Sequence, residues 1–173
     1  VPGDRVRARI RLRKKSHAEA DLMELLQASA ERIPARCEHF GSCGGCQWMH
    51  LAYATQLAHK QRQVAECLAR IGKLSGFTLH PIVPSPEVFA YRNKMEFDFA
   101  ENSGGPYAGL HRAGDPTVIE PIQHCHLQDS AANRILQWVG ARARALRLPA
   151  SGQGSPEGLL RRLVIRRGSG DGR

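Results

Sequence analysis

Several things are scarce or missing in this chain, and each absence narrows the reading. No N-terminal stretch reads as a signal peptide, and no apolar run reaches membrane-spanning length. An oxidising compartment and a membrane span are therefore not indicated, and a cytoplasmic protein without membrane partners is expected. Acidic residues are in short supply, with 16 Asp+Glu against 25 Lys+Arg and a formal net charge of +9. A basic protein without lipid-anchor signals points first to nucleic acid, although a generic basic surface is the plain alternative. Aromatic residues make up only 6% of the chain, so base-stacking surfaces must be few. What remains is a chain of 173 residues with 42% hydrophobic content, enough for one moderate domain or two small ones.

Cysteine is scarce too, but patterned. Cys37, Cys43 and Cys46 lie in the run CEHFGSCGGC, and Cys125 stands far downstream in QHCHL. A C-x5-C-x2-C loop with one remote thiol is a four-thiolate metal arrangement, suited to zinc or an iron–sulfur cluster rather than to magnesium or calcium. Gly41, Gly44 and Gly45 fit a loop that wraps closely around a bulky centre. Disulfides or small core residues are the alternatives. Cys67, inside a predicted helix next to its apolar stripe, is expected to be a buried residue rather than a fifth ligand.

The period of the hydrophobic pattern changes along the chain. Arg5, Arg7, Arg9, Arg11 and Arg13 alternate with Val6, Ala8, Ile10 and Leu12, which predicts a strand with a basic face and an apolar face. Guanidinium groups so close must be solvated or meet phosphates. The stretch from Ala18 to Ala30 has helix-forming composition with strand-like alternation. Tyr53 to Ile71 predicts a helix with Leu57, Val64, Leu68 and Ile71 on one face, stopped by Gly72. In YRNKMEFDFA the residues Tyr91, Asn93, Met95, Phe97 and Phe99 alternate with a charged face that carries Arg92 and Lys94. YAGLHR and TVIEPI predict two more strands of an antiparallel sheet. Asp129 or Ser130 can cap a second helix whose apolar stripe is Ala132, Ile135, Leu136, Val139, Ala143 and Leu146. The Gly/Ser/Pro-rich SGQGSPEG reads as a linker before a last basic strand, LLRRLVIRR.

Taken together, CEHFGSCGGCQWMH, the helix with Gln56 and Lys60, YRNKMEFDF, GLHR, IQHCHL and GLLRRLVIRR resemble the RNA (uracil-5-)-methyltransferases, in the branch that carries an iron–sulfur cluster. The resemblance implies that Cys37, Cys43, Cys46 and Cys125 are the ligands of a 4Fe-4S cluster. It implies an α+β architecture: residues 1–33 as the end of an OB-like β-barrel of the TRAM type, residues 34–150 as a central iron–sulfur domain of antiparallel sheet and helices, and residues 151–173 as a linker and first strand toward a Rossmann-like domain. By this analogy Ala18 to Ala30 is mostly strand. Neither a GxGxxG-like loop nor a DPPR-type cysteine occurs in the chain, so it is expected to be a fragment that is itself inactive, with S-adenosylmethionine bound elsewhere.

For the parent protein the resemblance implies a covalent mechanism. A cysteine thiolate adds to uracil C6, C5 takes the methyl group of S-adenosylmethionine, and a base removes the C5 proton. The target base must leave its stack, so the surrounding RNA has to be held open. The expected partner is RNA, ribosomal RNA ahead of transfer RNA, and the expected state is a monomer. Arg5, Arg7, Arg9, Arg92 and Lys94 are the candidate phosphate contacts. Because every cluster position would have a protein ligand, a structural or RNA-shaping role is expected ahead of a redox one. Trp48 could shield the centre or stack on a base, with shielding preferred. The competing readings are a zinc- or cluster-stabilised RNA-binding module without catalysis, with His39, His50 or His124 replacing one thiol, and an electron-transfer protein.

Overall fold

The computed structural model describes residues 1–151 and 157–168, so most of the predicted linker lies outside the described residues. The chain divides into two compact units, one built from Val1–Ala35 and Trp48–Val83, the other from Arg36–Gln47 and Pro84–Arg173. All four patterned cysteines fall in the second.

In the first unit, β1 (Arg5–Arg13) pairs antiparallel with β2 (Ala18–Gln27) as a two-stranded sheet. Alternation in Ala18–Gln27 thus prevails over its helix propensity, because a paired neighbour decides what local preference leaves open. Both faces of the hairpin are exposed, including the apolar one: Ile10 and Leu22 are each 63% exposed. The basic face is organised differently from the expectation. Arg7 pairs with Glu24, Arg9 with Asp21, and Arg11 with Glu19 across the strands. Cross-strand carboxylates therefore relieve the crowding of guanidinium groups that solvent or phosphate was expected to relieve.

The predicted first helix is α1 (Tyr53–Glu66), which runs on through a π-helical turn, Cys67–Ile71, to Gly72. Ala52 offers no side-chain cap, and Gln56 Nε2 instead donates to the carbonyls of Trp48 and Leu51. No residue of α1 is fully buried, and Val64 and Ile71 of the expected stripe are exposed. Cys67 is exposed as well, contrary to expectation, since the stripe beside it has no core to enter among the described residues.

The second unit holds a four-stranded antiparallel sheet in the order β5-β4-β3-β6, with β3 Lys94–Asn102, β4 Gly105–Arg112, β5 Asp115–Pro121 and β6 Arg162–Arg166. The strand expected to open a separate domain is an edge of this sheet, with Met95 opposite Ile165 and Phe97 opposite Leu163. Period two holds where one face is covered: Met95, Phe97 and Phe99 are buried, while Tyr91, ahead of the strand, is exposed.

Helix α2 (Ser130–Ala145) is capped as predicted, with the Asp129 carboxylate accepting from the Ala132 N–H. Its buried side is Ala132, Asn133, Leu136, Gly140 and Ala143. Ile135 and Leu146, expected in the stripe, are exposed. The sheet brings the large residues, Phe97 and Phe99, and small residues on the helix allow close approach.

At Gly109 of β4 the sheet has no room for a side chain, because an added Cβ would run into the carbonyl of Glu120 on β5. Gly109→Ala is expected to lower the unfolding free energy by about 3 kcal/mol. Urea unfolding checks this, and an unchanged midpoint would contradict the packing described.

Candidate metal centre

The cysteine loop reaches the sheet through its backbone. The N–H of Gly44 donates to the carbonyl of His111 at the end of β4 (2.9 Å), and the N–H of Ala113 donates back to Ser42 (2.8 Å). Cys43 and Arg112 form a bridge between these segments. A Cβ on Gly44 would sit 3.0 Å from the His111 carbonyl oxygen, so glycine is what lets the loop lie this close. Within the loop, Phe40 N–H bonds the Cys37 carbonyl and Cys43 N–H bonds that of His39.

Cys125 comes from the segment between β5 and α2, and Asn133 of α2 holds it in place. The Asn133 side-chain oxygen accepts from the Cys125 N–H at 2.8 Å and from Gln128 Nε2, and its amide nitrogen donates to the carbonyls of Cys125, Gln128 and Asp129. Asn133 is 3% exposed, so almost the whole capacity of a buried amide is spent on this one loop. Sequence reading missed it. The signal available was an asparagine inside an apolar helical face, where its side chain must find polar partners.

No disulfide joins the cysteines. Cys125 is buried, and Cys43 and Cys46 pack against the same core. Burial is the main influence raising the thiol pKa of Cys43, Cys46 and Cys125. The charges of neighbouring cysteines push these three the same way. Acting in the opposite direction, Gly45 N–H donates to Cys43 Sγ at 3.3 Å, and the backbone amides of Leu127 and Gln128 work to lower the pKa of the Cys125 thiol. Donors aimed at sulfur favour thiolate, the form that binds metal. Among the described residues no three His, Cys, Asp or Glu side chains form a group tight enough for a single metal ion.

Arg92 does not lie on the outer strand face. It precedes β3, its N–H bonds the Leu127 carbonyl, its guanidinium reaches Met95 Sδ at 3.6 Å, and its charge favours the thiolates of Cys43 and Cys46. Lys94 does lie on that face, paired with Glu96. Arg5 and Arg13 have no ion pair among the described residues, whereas Arg7 and Arg9 do. Of the three histidines considered as zinc ligands, His39 faces Glu38 and His124 packs against His126. His50 lies in the first unit, where burial and then the charge of Arg32 lower its pKa. Trp48 also belongs to the first unit and pairs edge-on with His59, 6.1 Å between ring centroids.

No family profile matches the chain. It is similar over nearly its whole length to proteins named as RNA methyltransferases. One from Halalkalibacterium halodurans is 33% identical over 172 residues, which is 99% of this chain and 37% of that protein. One from Clostridium tetani is 37% identical over 174 residues, 99% of this chain and 38% of the relative. A third, from Thermosynechococcus vestitus, is 38% identical over 136 residues. The chain thus spans little more than a third of the length of these relatives. In fold it resembles the tRNA (uracil-54, C5)-methyltransferase of Pyrococcus abyssi, solved with S-adenosyl-L-homocysteine. The TM-score is 0.69 at 23% identity, covering 99% of this chain and 38% of that one. Among the described residues no helix is long and apolar enough to cross a membrane.

Asn133→Leu keeps the branching and the number of heavy atoms and removes every polar contact that Asn133 makes with the Cys125 loop. We expect a loss of about 3 kcal/mol in unfolding free energy. Cys125, 8% exposed, should also become labelled by a maleimide much faster, as followed by peptide mass mapping. Unchanged labelling would show that the helix does not hold the loop.

Proposed function

We propose that this chain is the RNA-binding, 4Fe-4S-bearing part of a S-adenosylmethionine-dependent RNA methyltransferase that acts on uridine C5, with Cys37, Cys43, Cys46 and Cys125 as the cluster ligands. The observation that carries the reading is a set of four free cysteines within one structural unit, in a chain similar along 99% of its length to RNA methyltransferases. The donor set suits the group. Thiolates match iron, the loop lies close to β4 where a side chain at Gly44 would intrude, and N–H groups are aimed at sulfur.

A bound cluster supplies a cross-link between the loop at residues 37–46 and the segment around Cys125. The chain's own residues do the rest. Asn133 fixes Cys125, the end of β4 fixes the loop, and Arg92 sets a positive charge beside the thiolates. That arrangement supports a structural role for the cluster ahead of a redox one. Residues 1–33 are proposed as TRAM-type strands that contact RNA, with Arg5, Arg7 and Arg9 toward phosphate, helped by Lys94 on the sheet. S-adenosylmethionine is the proposed methyl donor, a reading that the S-adenosyl-L-homocysteine in the P. abyssi neighbour supports. Ribosomal RNA is the substrate we put first. The neighbour's tRNA makes transfer RNA the comparison.

Anaerobic purification followed by iron, acid-labile sulfide and zinc assays should give about four irons and four sulfides per chain. Cys125→Ala should lose most of both. Zinc without sulfide would overturn the cluster and leave a zinc-stabilised RNA-binding module. A cluster-loaded chain that binds neither ribosomal nor transfer RNA at low salt would overturn the RNA reading instead.

A further inference from the structure

Four side chains next to the cysteines form a row that the thiol site does not use. The Arg36 guanidinium lies over the Phe89 ring, 4.8 Å from its centroid. Phe89 meets His126 edge-on at 6.0 Å, and His126 meets His124 at 4.7 Å. Arg36 adjoins Cys37 in sequence, and the two histidines flank Cys125. The row therefore spans both cysteine segments.

Packing alone does not account for it. None of these rings belongs to the buried core of the unit; Phe89 and His126 are half-buried, and Arg36 and His124, the two ends, are exposed. The backbone is also held in an uncommon shape to present Phe89. Ala90 has φ +56°, a region that residues other than glycine rarely occupy, and its N–H bonds the His126 carbonyl at 2.9 Å. Such a row of rings outside the core, with a guanidinium at one end, has the composition of a nucleobase-stacking surface.

We propose that Arg36, Phe89, His126 and His124 form a platform on which an unpaired base of bound RNA stacks, with Arg36 also available to an adjacent phosphate. The inference rests on the RNA reading above and adds a site to it. A base stacks on a ring face regardless of its identity, so the platform favours single-stranded RNA with little sequence preference. Its place across the two cysteine segments makes the order of the thiol site and the order of the platform one property of the fold.

The test uses the full chain, loaded with its metal, and a short single-stranded oligoribonucleotide carrying one fluorescent purine analogue. Binding should quench the analogue, and an abasic oligomer of the same length should bind several-fold more weakly. Phe89→Leu and His124→Ala should each weaken binding about tenfold and restore fluorescence, with metal content unchanged. His124→Tyr should restore affinity. Arg36→Gln should reduce the slope of log affinity against log salt by about 0.7, the share of one phosphate contact on a single strand. Equal binding of the abasic oligomer, or unaltered affinity and quenching in both ring variants, overturns the platform and leaves the RNA reading standing. Failure of the unaltered chain to bind any RNA overturns both.

Discussion

The second unit of the structure turns on the cost of burying thiols. Cys125 is buried, Cys43 and Cys46 are partly buried, and each would feel the others' charge as a thiolate. Burial and like charge both favour the protonated form, and a protonated thiol binds metal poorly. The fold answers only in part, through N–H donors at Cys43 and Cys125 and the positive charge of Arg92. On the proposed reading, a cationic centre would supply what is missing.

That constraint explains details that would otherwise look unrelated. Three cysteines come from one loop, so their mutual placement is a local matter of turns and a close approach at Gly44. The fourth comes from beyond β5, and its position depends on tertiary structure. Asn133 takes over there, binding the Cys125 backbone through both N–H and carbonyl while α2 is anchored by its own capped start at Asp129. The small residues beneath α2 then set how near the helix, and with it Asn133, comes to the sheet.

The alternation in Met95, Phe97 and Phe99 and the Asp129 cap were legible in the sequence because each is a local signal with a fixed period or spacing. The failures share a different cause. The stripe of Leu57, Val64, Leu68 and Ile71 has helical spacing, yet Leu57 and Leu68 are only half-buried and Val64 and Ile71 are exposed, since periodicity says which face is apolar and not how fully anything covers it. Cys67 failed for the same reason. In α2 the predicted stripe held at Ala132, Leu136 and Ala143, but Ile135 and Leu146 are exposed, and the buried Asn133 and Gly140 were not in it, because small or hydrogen-bonded residues there let the helix approach the sheet. The strand at Arg162–Arg166 could not be assigned to its sheet from its own residues, because pairing with β3 is non-local. Asn133 and the row from Arg36 to His124 are tertiary constellations whose members lie far apart in sequence.

The distribution of charge shows where polyanion contact is physically sensible. Net charge alone would spread phosphate contacts over every basic stretch, yet Arg7, Arg9 and Arg11 already face carboxylates on β2. Exposed pairs of this kind are each worth little, about 1 kcal/mol or less, so a phosphate can displace the carboxylate at small cost. The displaced acid then lies beside the nucleic acid and repels it, which offsets part of the gain. Arg5 and Arg13, free of such pairs among the described residues, carry no such penalty. The same reasoning holds for Arg36, whose partner is a neutral ring. A guanidinium on an aromatic face keeps its full charge and its hydrogen-bonding edge, and gives up neither when a phosphate approaches. On the proposed RNA reading, affinity should therefore depend less on the densest run of arginines than on the few whose charge nothing nearby neutralises.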